Sequence, residues 1–261
     1  MTPYEAIDAR FSCRAYTAEP LDQATLAELA ELTARLSEES GLRLVLVGPD
    51  DGGPELRLAA RMFSGNVSSY VALIGPDDNA SRERFGYVGE KLVLHATTLG
   101  LGTCWVAGRC PGPGWTCWVA GTFDRNSVTV PLEAGEIIHD VIPVGHMPAR
   151  QPFAQRAIRA GLRKRDKRPE ALYQGPTTLA EAPSWVRSGI AAVIKGPSAV
   201  NQQPVVFVQD DAGLRATLPT AKREVAYTDL GIAKLHFELG AAAAGVQGMW
   251  QWGTEGLFQL S

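Results

Sequence analysis

Leu26, Leu29, Ala30, Thr33 and Leu36 recur at three- and four-residue spacing behind Pro20-Leu-Asp-Gln, which predicts a helix with Asp22 as N-cap, stopped at Gly41. A shorter helix is expected before it. Two apolar runs, 42–47 and 69–74, read as strands, and each leads into Gly-Pro-Asp-Asp, a turn sequence. A long helix is predicted from Gly86 to about Leu99, with Gly100 and Gly102 ending it. The run 137–144 reads as a buried strand, and the stretch after it, with Pro148, Pro152 and Pro169, reads as an extended connection. The pattern resumes with a helix from Ser184 to about Lys195, a turn at 197–204, a strand at 205–208, a helix from Asp229 to about Ala244 and a last strand near Met249.

The two long helices repeat a pattern. Gly86 matches Gly231, Leu92 matches Phe237, Gly100 matches Gly245 and Trp105 matches Trp250, all at an offset of 145. Each helix therefore runs into a glycine-bearing turn that ends in tryptophan, as in a chain built from two related halves.

Composition narrows the class. A chain of 261 residues that is 45% hydrophobic can bury a full core, so a globular protein is expected. Its apolar runs stop far short of the ~20 residues of a membrane span, and its first residues carry acids where a signal peptide has an apolar stretch. Four cysteines, three of them clustered, form a poor disulfide framework. A cytoplasmic protein without a membrane partner is the expectation. The net charge of -3 argues against nucleic acid as a partner, although Arg156, Arg159, Arg163, Lys164, Arg165, Lys167 and Arg168 form a local basic run. That run reads either as a solvated linker or as a phosphate clamp, and binding nucleic acid through it is a remote alternative.

Familiar catalytic templates are absent: there is no Gly-x-Gly-x-x-Gly after a strand, no Walker loop and no His-Glu-x-x-His. His95, His139, His146 and His236 are scattered and read as packed or surface histidines. One hexapeptide, Thr-Cys-Trp-Val-Ala-Gly, occurs twice, at 103–108 and 116–121. Cys104, Cys110 and Cys117 have five and six residues between them, too many for the pairs of a structural zinc site, and no Cys-x-x-Cys exists. No metal is expected.

Two segments carry more chemistry. In Arg10-Phe-Ser-Cys-Arg-Ala-Tyr16, an extended backbone would aim Arg10, Ser12 and Arg14 the same way, and two guanidinium forks with a hydroxyl suit a phosphate. In Gly196-Pro-Ser-Ala-Val-Asn-Gln-Gln-Pro204, two prolines fix a turn bearing one hydroxyl and three carboxamides, groups that suit the hydroxyls and amide edges of a nucleotide-like ligand.

Arg10-x-Ser12-x-Arg14-x-Tyr16, Pro197-Ser-Ala-x-Asn201-x-Gln203-Pro204, the Gly100-Leu-Gly102 turn after a long helix and the basic Arg165-Asp-Lys167-Arg-Pro169 together resemble the flavin-dependent nitroreductase superfamily over most of the chain. In typical members the two polar segments lie in one short polypeptide that dimerises. Here each half lacks what the other keeps: Ser-Glu-Glu-Ser-Gly41 stands where a Pro-Ser-Asn-Gln turn would fall, and Gly175-Pro-Thr-Thr-Leu where an Arg-Ser-Arg segment would fall. The resemblance is therefore to the subgroup with both halves fused. It implies an α+β fold with a mixed, mainly antiparallel sheet flanked by helices, in two pseudo-symmetric halves that mimic the usual homodimer. The divisions expected are 1–150 and 176–261 as halves, with 151–175 as a basic connection. A monomer with one flavin site is possible because the halves are fused.

The resemblance also implies FMN as cofactor, NADH or NADPH as co-substrate, and a small electron-poor acceptor such as a nitroaromatic or quinone. Carried over by position, Arg10, Ser12 and Arg14 would hold the flavin phosphate, with Arg165 and Lys167 closing the clamp. Pro197, Ser198, Asn201 and Gln203 would meet the ribityl chain and the pyrimidine edge. Gly108, at the end of the first hexapeptide, would bring a backbone N–H to flavin N5, leaving 109–121 as a bulge; Gly121 is the rival position. Phe63 and Tyr70 could cover the ring or pack in the core. No side chain is assigned as a catalytic acid or base. A flavin carrier, a sensor or another flavin enzyme on the same fold is the alternative.

Overall fold

The computed structural model describes residues 1–49, 67, 69–108, 122–123, 128, 130–219 and 223–261. Their elements, in chain order, begin with α1 (Pro3–Ala9), α2 (Gln23–Ser40), β1 (Arg43–Val47), β2 (Ser69–Pro76) and α3 (Asn79–Thr98). Three short strands, β3 (Gly102–Thr103), β4 (Val106–Gly108) and β5 (Thr122–Phe123), precede β6 (Glu136–Gly145) and α4 (Phe153–Arg163). The remainder is β7 (Tyr173–Gln174), α5 (Ser184–Lys195), β8 (Val206–Asp210), β9 (Gly213–Thr217), α6 (Val225–Ala243), β10 (Gly248–Trp250) and β11 (Gly256–Leu260). Helices and mainly antiparallel sheets alternate, the α+β arrangement expected.

These elements sort into two compact bodies, neither continuous in sequence. The first comprises Arg10–Asp77 and Leu92–Ala160; the second comprises Met1–Ala9, Asp78–Lys91 and Gly161–Ser261. In the first, the strand order is β1-β2-β6-β4-β5, with β3 also on β6. Antiparallel pairing sets Arg43 opposite Ile74 and Val71 opposite Ile142. β2 is buried along all but its last residue, so its near-continuous apolar run suits a strand covered on both faces. α2 packs on β1, and Val47, Ala72, Ile74, Val106 and Val141 share one core cluster.

The second body carries a sheet in the order β10-β11-β9-β8-β7, packed with α5 and α6. Its centre is aromatic. Phe207 stacks on Phe237 with ring centroids 4.9 Å apart, and Phe258 meets Phe237 edge-on at 5.4 Å, arrangements that add to the burial of large apolar rings.

Local signals placed the helix ends well. Asp22 accepts the N–H of Thr25 at 2.8 Å, and Gly41 adopts φ 68° while its N–H reaches Ser37 O. Gly100 and Gly245 end α3 and α6 in the same way, with φ 76° and 86°. Gly100 N bonds Thr97 O and Leu101 N bonds Ala96 O; Gly245 N bonds Ala242 O and Val246 N bonds Ala241 O. Every member of the second set lies 145 residues beyond its counterpart, so the repeat read from sequence extends to identical helix-ending geometry.

Two expectations fail. The basic stretch is not an extended connection, because Phe153–Arg163 is the helix α4. Pro152 stands immediately before its first residue, where a proline's missing N–H costs nothing, and alanine, arginine and leucine favour the helix beyond it. The long helices also start earlier than expected, at Asn79 and Val225, since Asp78 caps the first by accepting Ser81 N–H at 2.7 Å. Ser184 is the first residue of α5, with Pro183 in the cap position.

Candidate functional site

The Arg-Ser-Arg segment lies beside the first hexapeptide copy in the first body. Ser12 forms a parallel bridge with Thr103, and Cys13 N donates to Thr103 O at 2.7 Å. β3 and β4, both from that copy, pair with the central strand β6, and β4 pairs in parallel with Thr122–Phe123, the exit from the second copy. The sheet therefore holds the first copy, with Gly108 at the end of β4. The second copy, with Cys110, Cys117, Trp115, Trp118 and Gly121, lies outside the described residues, as does Phe63.

Arg14 is the unusual member of this segment. The residue is 9% exposed, one Nη donates to Ser12 O at 3.3 Å, and its Nε is buried with no hydrogen-bond partner among the described residues. A guanidinium kept from water with a donor unspent is expensive unless an anion completes it. Cys104 lies close enough for Arg14, Arg10 and the Ser12 hydroxyl to act on its thiol; burial nevertheless outweighs them and raises it above its ordinary value. Burial also pushes the neighbouring Cys13 thiol up to about 11. Both are free, buried thiols. Arg159 lies over the ring of Phe11 at 4.5 Å, which brings a member of the basic run to this segment.

In the second body the turn 197–204 follows α5. Ser198 and Gln203 both line one small cavity, together with Pro197 and Asp229. The Ser198 hydroxyl accepts Gln203 N–H at 2.9 Å. Asn201 donates to Leu162 O at 2.9 Å and to Asp166 Oδ1 at 2.7 Å. Gln203, 5% exposed, donates to Ile194 O and accepts the main-chain N–H of Lys167. The structure thus joins Asn201 and Gln203 to the basic segment that contains Arg165 and Lys167, a link that sequence did not give. Arg165 itself is exposed.

Other polar clusters are structural. His236 faces Glu90 Oε1 at 2.9 Å and Ala192 O at 3.1 Å, fully buried, and His139 faces Pro76 O, which fits the reading of packed histidines. Tyr70 packs within the core cluster of the first sheet. Among the described residues no group of histidines, cysteines and carboxylates could hold a metal ion, and no helix is long and apolar enough to cross a membrane.

Helices with mainly antiparallel, open sheets form the α+β fold of the nitroreductases. The family model described as "Putative TM nitroreductase" matches residues 2–113 and 115–241, and the chain belongs to that family. Among solved structures, a "putative nitroreductase" from Thermotoga maritima is similar at 21% identity and TM-score 0.60, covering 100% of this chain and 93% of that one, which shows the shared fold over the full length. Shorter proteins resemble about half of it. One from Desulfovibrio desulfuricans, described as a complex with FMN, covers 59% of this chain and 95% of its own at 16% identity and TM-score 0.36. Another from Parabacteroides distasonis, described as an NADH dehydrogenase/NAD(P)H nitroreductase, covers 57% of this chain and 89% of its own at 20% identity and TM-score 0.40. No curated protein matches the chain.

Proposed function

We propose that this protein is an FMN-dependent oxidoreductase that takes hydride from NADH or NADPH and passes electrons to an electron-poor small molecule, nitroaromatic or quinone-like. Membership of a nitroreductase family supports the class. The observation that carries the cofactor assignment is Arg14, a buried guanidinium whose Nε is unspent among the described residues, beside Ser12 and the first hexapeptide. Such a donor set fits a phosphate monoester, which offers three acceptor oxygens and a charge near -2.

FMN, when bound, supplies the hydride chemistry. Arg10, Ser12 and Arg14 hold its phosphate, and the basic run contributes Arg165 and Lys167 to the site. Pro197, Ser198, Asn201 and Gln203 form the turn that meets the polar parts of the cofactor. Gly108 gives a main-chain N–H that nothing on its own Cα obstructs. Solvent can supply the protons, so no side chain is assigned as general acid. The halves 1–150 and 176–261 complement each other, each keeping the segment the other lacks, and the chain works as a monomer in the cytoplasm.

Steady-state oxidation of NADH and NADPH by the FMN-loaded protein, with a nitroaromatic or a quinone as acceptor, tests the reading. Turnover with either nucleotide is expected. A yellow protein inert to both would be a flavin carrier or sensor, and the reductase assignment would fall.

A further inference from the structure

Three residues that lack glycine's freedom hold left-handed backbone within one turn: Val200 at φ 47°, Asn201 at 57° and Gln203 at 45°. For a β-branched valine this region is a true outlier, and such strain persists only where the surroundings over-determine it. Two charged side chains supply that constraint. From α6, Asp229, 5% exposed, accepts the N–H of Ala199 at 2.9 Å. From the basic segment, the Lys167 ammonium donates to Gln203 O at 2.8 Å while the Lys167 main-chain N–H donates to Gln203 Oε1 at 2.7 Å. One residue at each end of the strained stretch is thus held by a charge-assisted hydrogen bond, the stronger kind.

We propose that Lys167 and Asp229 are positioning residues that lock the left-handed turn 197–204, and that Lys167 serves the flavin through this turn and not as a phosphate ligand. Its ammonium is already committed to Gln203 O, whereas Arg165, two residues earlier and exposed, is the basic side chain that can reach an anion. The inference rests on the flavin reading of the turn. It assigns a different task to each of two neighbouring basic residues, a distinction charge alone does not make.

Comparing FMN with riboflavin, which lacks the phosphate, separates the two tasks. Lys167→Met and Asp229→Ala should each weaken both flavins by the same factor, about tenfold, the scale of one hydrogen bond to a charged group. Asp229→Asn, whose amide oxygen still accepts the Ala199 N–H, should restore most of the loss, and Arg165→Ala should weaken FMN alone. A loss confined to FMN in Lys167→Met would make Lys167 a phosphate ligand and overturn the proposal; unchanged binding of both flavins would overturn it too. Hydrogen exchange without flavin provides the independent readout. The Ala199 and Gln203 amides should exchange faster in Lys167→Met and in Asp229→Ala than in wild type, and unaltered protection would refute the lock. Should wild type bind neither flavin, the cofactor reading fails, while exchange still decides whether these residues lock the turn.

Discussion

Gly86 on α3 and Gly231 on α6, both in the second body, mark a reciprocal close contact of the two long helices. A Cβ on Gly86 would lie 2.0 Å from Thr228 O, and one on Gly231 would lie 1.8 Å from Glu83 O. Glu83 and Thr228 are themselves related by the 145-residue offset, so each glycine packs on the counterpart of the residue that packs on the other. Such reciprocity is the mark of a two-fold contact, here built within one chain. Neither position has room for a methyl group, because the obstacle is backbone.

Gly86→Ala and Gly231→Ala should therefore each destabilise the protein by about 1–3 kcal/mol or more, the range of overpacking in a close-packed interior. Gly161→Ala is the control: it is exposed, helical and has nothing within 4 Å of the added carbon, so it should be neutral or slightly stabilising. Urea unfolding of the three variants checks this, and wild-type stability in Gly86→Ala would contradict the close contact.

Lys234 and Glu83 form a pair buried from water, with the ammonium also donating to Gln251 O and Gly253 O and the second carboxylate oxygen accepting Gly253 N–H. Burial lowers the Lys234 ammonium below its ordinary value, with Glu83 opposing that shift. Lys234→Met alone leaves a buried carboxylate and should cost about 3–5 kcal/mol; Lys234→Met with Glu83→Leu should cost less than that single change. A double variant less stable than Lys234→Met would count against the pairing.

Glu238 is half-buried and accepts from Tyr87 OH at 2.9 Å. Burial raises its carboxyl above the ordinary 4.5, against the pull of Tyr87 and Lys91. The folded state thus holds this proton more tightly than the unfolded chain. The stability it contributes is present below the unfolded value and is lost as pH rises through the raised folded value. Relative to Glu238→Gln, which stays neutral, wild type should lose stability as pH rises upward from about 4.5. A stability difference that is flat, or that favours wild type with rising pH, would exclude this effect.

Arg14 predicts opposite signs for binding and folding. Arg14→Ala should weaken FMN by about 1–3 kcal/mol while leaving riboflavin nearly unaffected, since a charge-assisted bond to phosphate is what is removed. The flavin-free protein should be no less stable, because the substitution also removes a buried donor with no partner among the described residues. Calorimetric titration with the two flavins and thermal unfolding of the apoprotein read both signs; equal losses for FMN and riboflavin would take Arg14 out of the phosphate site.

Much of the fold was legible where the cause is local. Asp22 and Gly41 announce their helix ends through capping chemistry, and Gly100 and Gly245 through a positive φ that glycine tolerates. α4 was hidden by its prolines, which read as breaks although Pro152 stands where a helix accepts one. The candidate site was legible as two motifs but not as a mechanism of holding them. Lys167 reads as one basic residue among seven until its partner Gln203, 36 residues on, is seen to accept from both its main-chain N–H and its ammonium. Asp229 reads as the start of a helix, whereas the helix begins at Val225 and the Asp229 carboxylate accepts the N–H of Ala199 in the turn.

The central proposal is that each chain binds one FMN. Purified protein loaded with FMN, desalted and measured by flavin absorbance against protein concentration, should carry about one FMN per chain. A ratio near two, or a chain that retains no flavin at all, would contradict it.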